Sequence, residues 1–193
     1  MQTFIVLMRG INVGATRKLP MAALRALCPE LGLERPETYI QSGNLIVDAD
    51  GGGERVRDLL ERELTGRFGF TVDIVLRAAA DWGHFVRTNP FAGDAESLAK
   101  AVHLYLSRDP PNAAAAQQLE RRARTGERIA SAGGALWIDY GGEGVAGSAL
   151  TPVFIDKACG SPTTGRNWNT VLKIRDMIAA RGARAPGGPG AAH

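Results

Sequence analysis

The run 3-TFIVLM-8 is apolar at every position after Thr3 and ends abruptly at Arg9. A strand with apolar residues on both faces belongs in the middle of a sheet, flanked by neighbours and covered on at least one side. The chain therefore has to supply partners for it. The residues that follow name them. Pro20 suits a first helical turn, and Met21, Leu24, Leu27, Cys28 and Leu31 recur at helical spacing up to Gly32. Next, 37-ETYIQ-41 and 45-LIVDA-49 read as short strands joined by Ser42-Gly43-Asn44, a hairpin composition. A second helix begins after Gly51-Gly52-Gly53, carries Val56, Leu59, Leu60, Leu64 and Phe68 on one stripe, and stops at Gly69. The strand 71-TVDIVL-76 follows.

This β-α-β-β-α-β order is the split βαβ plan of ferredoxin-like domains, in which the first and third strands are central and the second and fourth are edges. Here the first and third strands are the continuously apolar ones. The rest of the chain repeats the plan without a clear residue-level repeat. A helical bridge near 78-AAADWGHFVRTNPF-91 leads to the strand 101-AVHLYLS-107, then to an Ala-rich helix after Pro110-Pro111, and to strands at 127-ERIAS-131 and 135-ALWIDY-140. Thr151-Pro152 starts a helix that Gly160 ends. A strand near 162-PTTGR-166 and a helix carrying Val171, Ile174, Met177 and Ile178 complete it. The expected fold class is α+β, with two tandem ferredoxin-like subdomains, antiparallel sheets and helices packed on one face. The expected divisions are 1–78, a helical bridge over 79–100, a second subdomain with a C-terminal helix over 101–181, and a disordered tail over 182–193.

At 193 residues and 45% hydrophobic, the chain suits one large or two small globular domains. Its net charge of +3 and pI near 9.1 permit a phosphate-bearing partner without demanding one. Two cysteines, Cys28 and Cys159, exclude a disulfide framework and fit a reducing cytosol. The N-terminal apolar run lacks a basic lead and is too short for a membrane span, so a soluble cytoplasmic protein is expected. His84, His103 and His193 have no zinc-ligand spacing, and His103 reads as the polar face of an alternating strand. No metal and no cofactor are expected.

Topology brings polar residues together. The first and second strands run the same way, so Arg9, Gly10 and Asn12 should neighbour Ser42, Gly43 and Asn44 at the start of the first helix. Leu19 is a poor cap there, and Arg17 or Lys18 could add charge for an anion. The same logic places Ser148 and Thr151 near 166-RNWNT-170, where Arg166, Asn167, Trp168, Asn169 and Thr170 offer donors and a stacking ring. Each cluster also has a purely structural explanation. The glycines and Asn12 could simply turn the backbone, Asn167 or Asn169 could cap the last helix, Trp168 could plug the junction of the halves, and Arg9 could pair with an acid such as Asp48.

Together LMRGINVGATRKLPMAALRAL, TYIQSGN and TTGRNWNTVLK resemble the bacterial family Domain of Unknown Function 1697. The resemblance implies two tandem ferredoxin-like subdomains and a motif set kept here at Arg9, Gly10, Ile11, Asn12, Gly14, Gln41, Ser42, Gly43, Asn44 and residues 166–170. It implies no reaction. Where that family often has Ser-Lys-Leu, this chain has Ser148-Ala149-Leu150. Three functions are compatible with the sequence. The first is a binding module for an anionic ligand (nucleotide, phosphate-bearing metabolite or nucleic acid) through Arg9, Asn12, Lys18, Ser42, Asn44 and residues 166–170. The second is a metal-independent enzyme on a small phosphorylated or carboxylated substrate, for which these clusters lack a general base unless Asp139, Asp156 or Tyr140 is brought in. The third is an interaction protein without a small ligand.

Overall fold

The computed structural model describes residues 1–14, 16–93 and 99–183, and within them the chain forms two four-stranded antiparallel sheets. The first half runs β1 (Gln2–Met8), α1 (Met21–Glu30), β2 (Glu34–Tyr39), β3 (Asn44–Ala49), α2 (Gly53–Phe68) and β4 (Ile74–Ala78), with sheet order β2-β3-β1-β4. After α3 (Ala79–Arg87) comes the second half, with β5 (Val102–Ser107), α4 (Ala115–Glu120), β6 (Arg128–Ala132) and β7 (Ala135–Asp139). The one-turn α5 (Gly144–Gly147), α6 (Pro152–Cys159), β8 (Thr163–Asn167) and α7 (Trp168–Ala183) complete it, with sheet order β6-β7-β5-β8. Both sheets have the ferredoxin-like order.

Each sheet carries its own helices on its outer face, and its inner face is buried as well. Phe4, Val6, Met8, Leu45 and Val47 meet Leu24 and Leu27 of α1 and Val56, Leu60 and Leu64 of α2. On the other side of the same strands, Ile5, Leu7, Ile46 and Val75 join Val102, Leu104, Leu106 and Trp137 of the second sheet. That core also includes Trp82 and Phe85 of α3 and Trp168, Val171 and Ile174 of α7. This double coverage is why β1 and β3 read as unbroken apolar runs. A third core joins Leu136, Ile138 and Tyr140 to Leu119 and Ile155.

Two of the expected boundaries moved by a few residues. The strand expected from Thr71 begins at Ile74. Gly182 and Ala183, expected in the tail, still belong to α7, and residues 184–193 lie outside those described, as do 94–98 of the expected bridge. The far end of α7 also reaches back to the first sheet. Arg181 donates to Asp48 (3.2 Å), Glu37 (2.7 Å) and the Glu34 carbonyl (3.3 Å).

The strand registers reveal a correspondence that sequence inspection missed. Thr3 faces Asp48 across β1 and β3, and Val102 faces Asp139 across β5 and β7. Met8 faces Ile74 and Ser107 faces Thr163 in the two outer pairings. Counting from these anchors, Phe4, Val6, Met8, Leu76 and Arg77 correspond to His103, Tyr105, Ser107, Gly165 and Arg166. The stretches 45-LIVDADG-51 and 136-LWIDYGG-142 then align on their shared first Leu, Asp and last Gly. Even the ion pairs correspond: Arg35 binds Asp48, and Arg128 binds Asp139 at 2.6 Å.

The two halves are joined by reciprocal contacts at their strand ends. Arg9, just past β1, reaches Asp156 of α6 at 2.5 Å, and Arg108, just past β5, reaches Glu61 of α2. Each acid also accepts the backbone N–H that opens the last strand of its own half, Thr163 to Asp156 and Ile74 to Glu61. Arg166 donates to the Met8 carbonyl (2.9 Å), and Arg77 to the Ser107 carbonyl (2.6 Å).

Candidate ligand-binding cleft

Arg9, Gly10, Ser42, Gly43 and Asn44 do meet at one end of the first sheet. Leu7 faces Asn44 across the β1–β3 ladder, and Met8 N–H donates to the Gly43 carbonyl at 2.8 Å. Gly43 has φ of +79°, and a Cβ on it would lie 2.7 Å from Met8 Cβ, so only glycine closes this turn.

The polar side chains of this corner hold the fold together. Asn12, at φ +55°, accepts from Leu19 N–H and donates to the Leu19 and Gln41 carbonyls, closing the loop before α1. Asn44 is buried, donating to the Tyr39 carbonyl and the Ser42 hydroxyl oxygen. Its Oδ1 accepts from Arg166 Nε at 2.5 Å. Arg166 further donates to Thr164 Oγ1 and to the carbonyls of Gly165, Met8, Ser42 and Gly43. Burial pushes its pKa down to about 10. Arg166 was expected to contact a ligand; its guanidinium is instead spent on the first half's hairpin, across 122 residues of chain.

The neighbours of Arg166 are also structural. Asn167 Oδ1 accepts from Thr170 N–H, capping α7, and Thr170 is buried. Trp168 stacks edge-on against Trp137 with centroids 5.8 Å apart. Asn169 is exposed and donates only through its backbone, to the Ala99 carbonyl. Lys18 is exposed without a polar partner among the described residues. Ser148 and Thr151, expected beside 166–170, bind elsewhere: Ser148 donates to Glu127, and Thr151 caps α6 by accepting from Phe154 N–H. Arg9 pairs with Asp156 and, at 3.7 Å, Asp73, not with Asp48.

Beside this corner lies a cleft of about 730 Å³ between the halves. Arg9, Val13, Arg17 and Asp73 form its first-half wall; His103, Tyr105, Ile155 and Gly165 form its floor and far side. The corresponding place in the other half is a 270 Å³ recess lined by Gly53, Ile74, Leu76 and Arg108. Two substitutions of character account for the difference. The outer face of β1 presents Phe4, Val6 and Met8 to the 16-residue α2, whereas the outer face of β5 presents His103, Tyr105 and Ser107 to an α6 of 8 residues. Leu76 occupies the smaller recess, and its counterpart Gly165 leaves the larger one open. A Cβ on Gly165 would sit 2.7 Å from the Tyr105 ring. Gly165→Ala is accordingly expected to lower stability by about 1–3 kcal/mol in urea unfolding while displacing Tyr105 into the cleft; an unchanged midpoint would contradict that reading.

Tyr105 and Tyr140 share a 2.6 Å hydroxyl contact. Desolvation pushes both phenols up, so both are protonated in the neutral range. His103 Nδ1 donates to the Ala101 carbonyl at 3.0 Å, which leaves Nε2 as the acceptor in the neutral ring. Burial lowers its pKa, outweighing the Ala101 bond. Arg17 donates to the Thr71 carbonyl (2.5 Å) and lies 5.9 Å from the Phe70 ring centre. It has no carboxylate partner among the described residues, whereas Arg9 has two. Arg17 is thus the cation of this wall that has no carboxylate beside it among the described residues. His103, read from sequence as an ordinary polar-face residue, and Tyr105, not singled out there, are cleft groups that sequence reasoning passed over; their mismatch with Phe4 and Val6 shows only once the register aligns the halves. No cluster of three or more His, Cys, Asp or Glu suited to a metal occurs among the described residues. No described helix is long and apolar enough to cross a membrane.

A family model described as "Protein of unknown function (DUF1697)" matches residues 1–137. Among solved structures, a conserved bacterial protein from Streptococcus pneumoniae is similar with a TM-score of 0.73 and 23% identity, over 92% of this chain and 98% of that one. At that identity the likeness concerns the fold. No curated protein matches.

Proposed function

The chain belongs to the family described as Protein of unknown function (DUF1697), and from that premise, which carries no reaction, we propose that it binds a small anionic molecule in the cleft between its subdomains. One observation carries this reading. A layer that is packed apolar core in the first half is, in the second, a 730 Å³ opening floored by polar side chains. That volume suits a metabolite-sized ligand. Polar groups placed in a core layer cost stability unless something satisfies them, so their concentration at one cleft supports a binding role. The anionic preference rests on Arg17, whose charge no described carboxylate offsets, beside the paired Arg9. Nucleic acid is the weaker partner, because Arg166 and Trp168, which would have gripped phosphate and stacked a base, are buried.

A thermal-shift titration with phosphate monoesters, nucleoside monophosphates and small carboxylates tests the proposal. At least one compound should raise the melting temperature saturably, and Arg17→Ala should weaken that ligand about tenfold or more. Binding confined to single-stranded oligonucleotides, with steep salt dependence, would move the function to nucleic acid. No shift with any compound would defeat the proposal.

A further inference from the structure

We propose that the cleft selects anions that also carry a hydroxyl group, read by His103 and Tyr105 as a donor–acceptor pair on its floor. This rests on the anion-binding reading above and adds the ligand's second functional group.

Hydrogen-bond accounting leads there. The Tyr140 side chain is fully buried, and among the described residues its hydroxyl has one hydrogen-bond partner, the Tyr105 oxygen. A buried O–H must donate, so Tyr140 donates to Tyr105. The Tyr105 oxygen has then accepted its bond, and its own hydrogen has no acceptor among the described protein groups. Tyr105 lines the cleft, so that hydrogen is available to an occupant.

His103 presents the complement. The Ala101 carbonyl can only accept, which fixes the proton on Nδ1 and leaves the Nε2 lone pair without a donor among the described residues. The two rings are neighbours, with centroids 6.2 Å apart, and both line the cleft. A hydroxyl seated between them donates to Nε2 and accepts from Tyr105. A carboxylate or a fully deprotonated phosphate cannot do this, since it has nothing to donate to His103, so the comparison is made at a pH well above the second phosphate pKa of about 6. The corresponding first-half positions, Phe4 and Val6, can do neither.

Matched pairs of ligands test this by calorimetry: glycerol 3-phosphate against propyl phosphate, and glycerate against propionate. In the wild-type protein the hydroxylated member should bind about tenfold tighter or more. His103→Phe, which places at this site the residue the first half carries, should abolish the preference, while His103→Gln, which keeps an acceptor near the Nε2 position, should restore part of it. The double variant Tyr105→Phe/Tyr140→Phe removes the donor without orphaning a buried hydroxyl, and should also abolish the preference. Equal affinity for both members in the wild type, or a preference that survives His103→Phe, overturns the inference and leaves anion binding standing. If no member of either pair binds while other anions do, the hydroxyl inference likewise falls alone. If no anion binds at all, both fall.

Discussion

Replacing Arg166 by Met should cost about 3–5 kcal/mol of unfolding free energy, the largest loss expected for any single polar residue in this chain. The reason is the number of partners left without a donor. Asn44, Thr164 and the carbonyls of Met8, Ser42, Gly43 and Gly165 all converge on one guanidinium. The bonds to Asn44, Thr164, Met8 and Gly43 are buried, and water cannot replace them without opening the junction of the sheets. Among the described residues no carboxylate pairs with Arg166. The positive charge is held instead by oriented carbonyl dipoles and an amide oxygen, an arrangement that holds only while every acceptor keeps its position. Arg166→Lys should recover less than half the loss, because an ammonium has three donors on one atom and cannot span the fork of acceptors. Urea denaturation measures both variants. A loss below about 1 kcal/mol for Arg166→Met would show that the acceptors find other donors.

Asp48→Asn should lower stability by about 2–3 kcal/mol at neutral pH, and the deficit should shrink in acid. Asp48 is buried, and desolvation pushes its carboxyl pKa up. The bonds from Thr3, Arg35 and Arg181 outweigh that, so the net shift is downward. A carboxyl with a depressed folded pKa stabilises the fold above its unfolded value near 4, and that stabilisation disappears as the pH falls through the folded value. Wild type and variant should therefore differ most at pH 7 and draw together as the pH falls below about 4 and on through the lower folded value. Arg181, itself buried, keeps Glu37 and the Glu34 carbonyl in the variant, which limits the damage. Urea midpoints at pH 7 and pH 3 decide the matter: an equal gap at both would mean that the loss is one of shape, not of charge.

Strand order and strand rank were legible in the sequence because they follow from local periodicity. β1 and β3 look central since they are buried on both sides, and the turn at Gly43 looks tight since it is. Topology alone then placed Arg9 beside Ser42-Gly43-Asn44. What a side chain in that corner touches was not legible. Asn12 and Asn44 have the composition of a ligand-binding motif, yet they bind backbone carbonyls, because short amides near a helix start and a hairpin satisfy local groups as readily as foreign ones. Arg166 could not be placed, since its partners in the first half lie more than 120 residues away. The cleft was hidden for another reason. It is a difference between two halves, Phe4 against His103 and Leu76 against Gly165, and it becomes visible only once register aligns them.

The reciprocal pairs, Arg9 with Asp156 and Arg108 with Glu61, have the form of an isologous dimer interface, in which patch i meets patch j and patch j meets patch i. A true homodimer carries every substitution twice, so opening one recess would open both and weaken both outer cores together. Covalent linkage removes that constraint. With the two copies in one chain, one recess can stay filled by Leu76 and keep its half rigid, while its counterpart loses apolar cover and becomes available to solutes, with the first half as its scaffold.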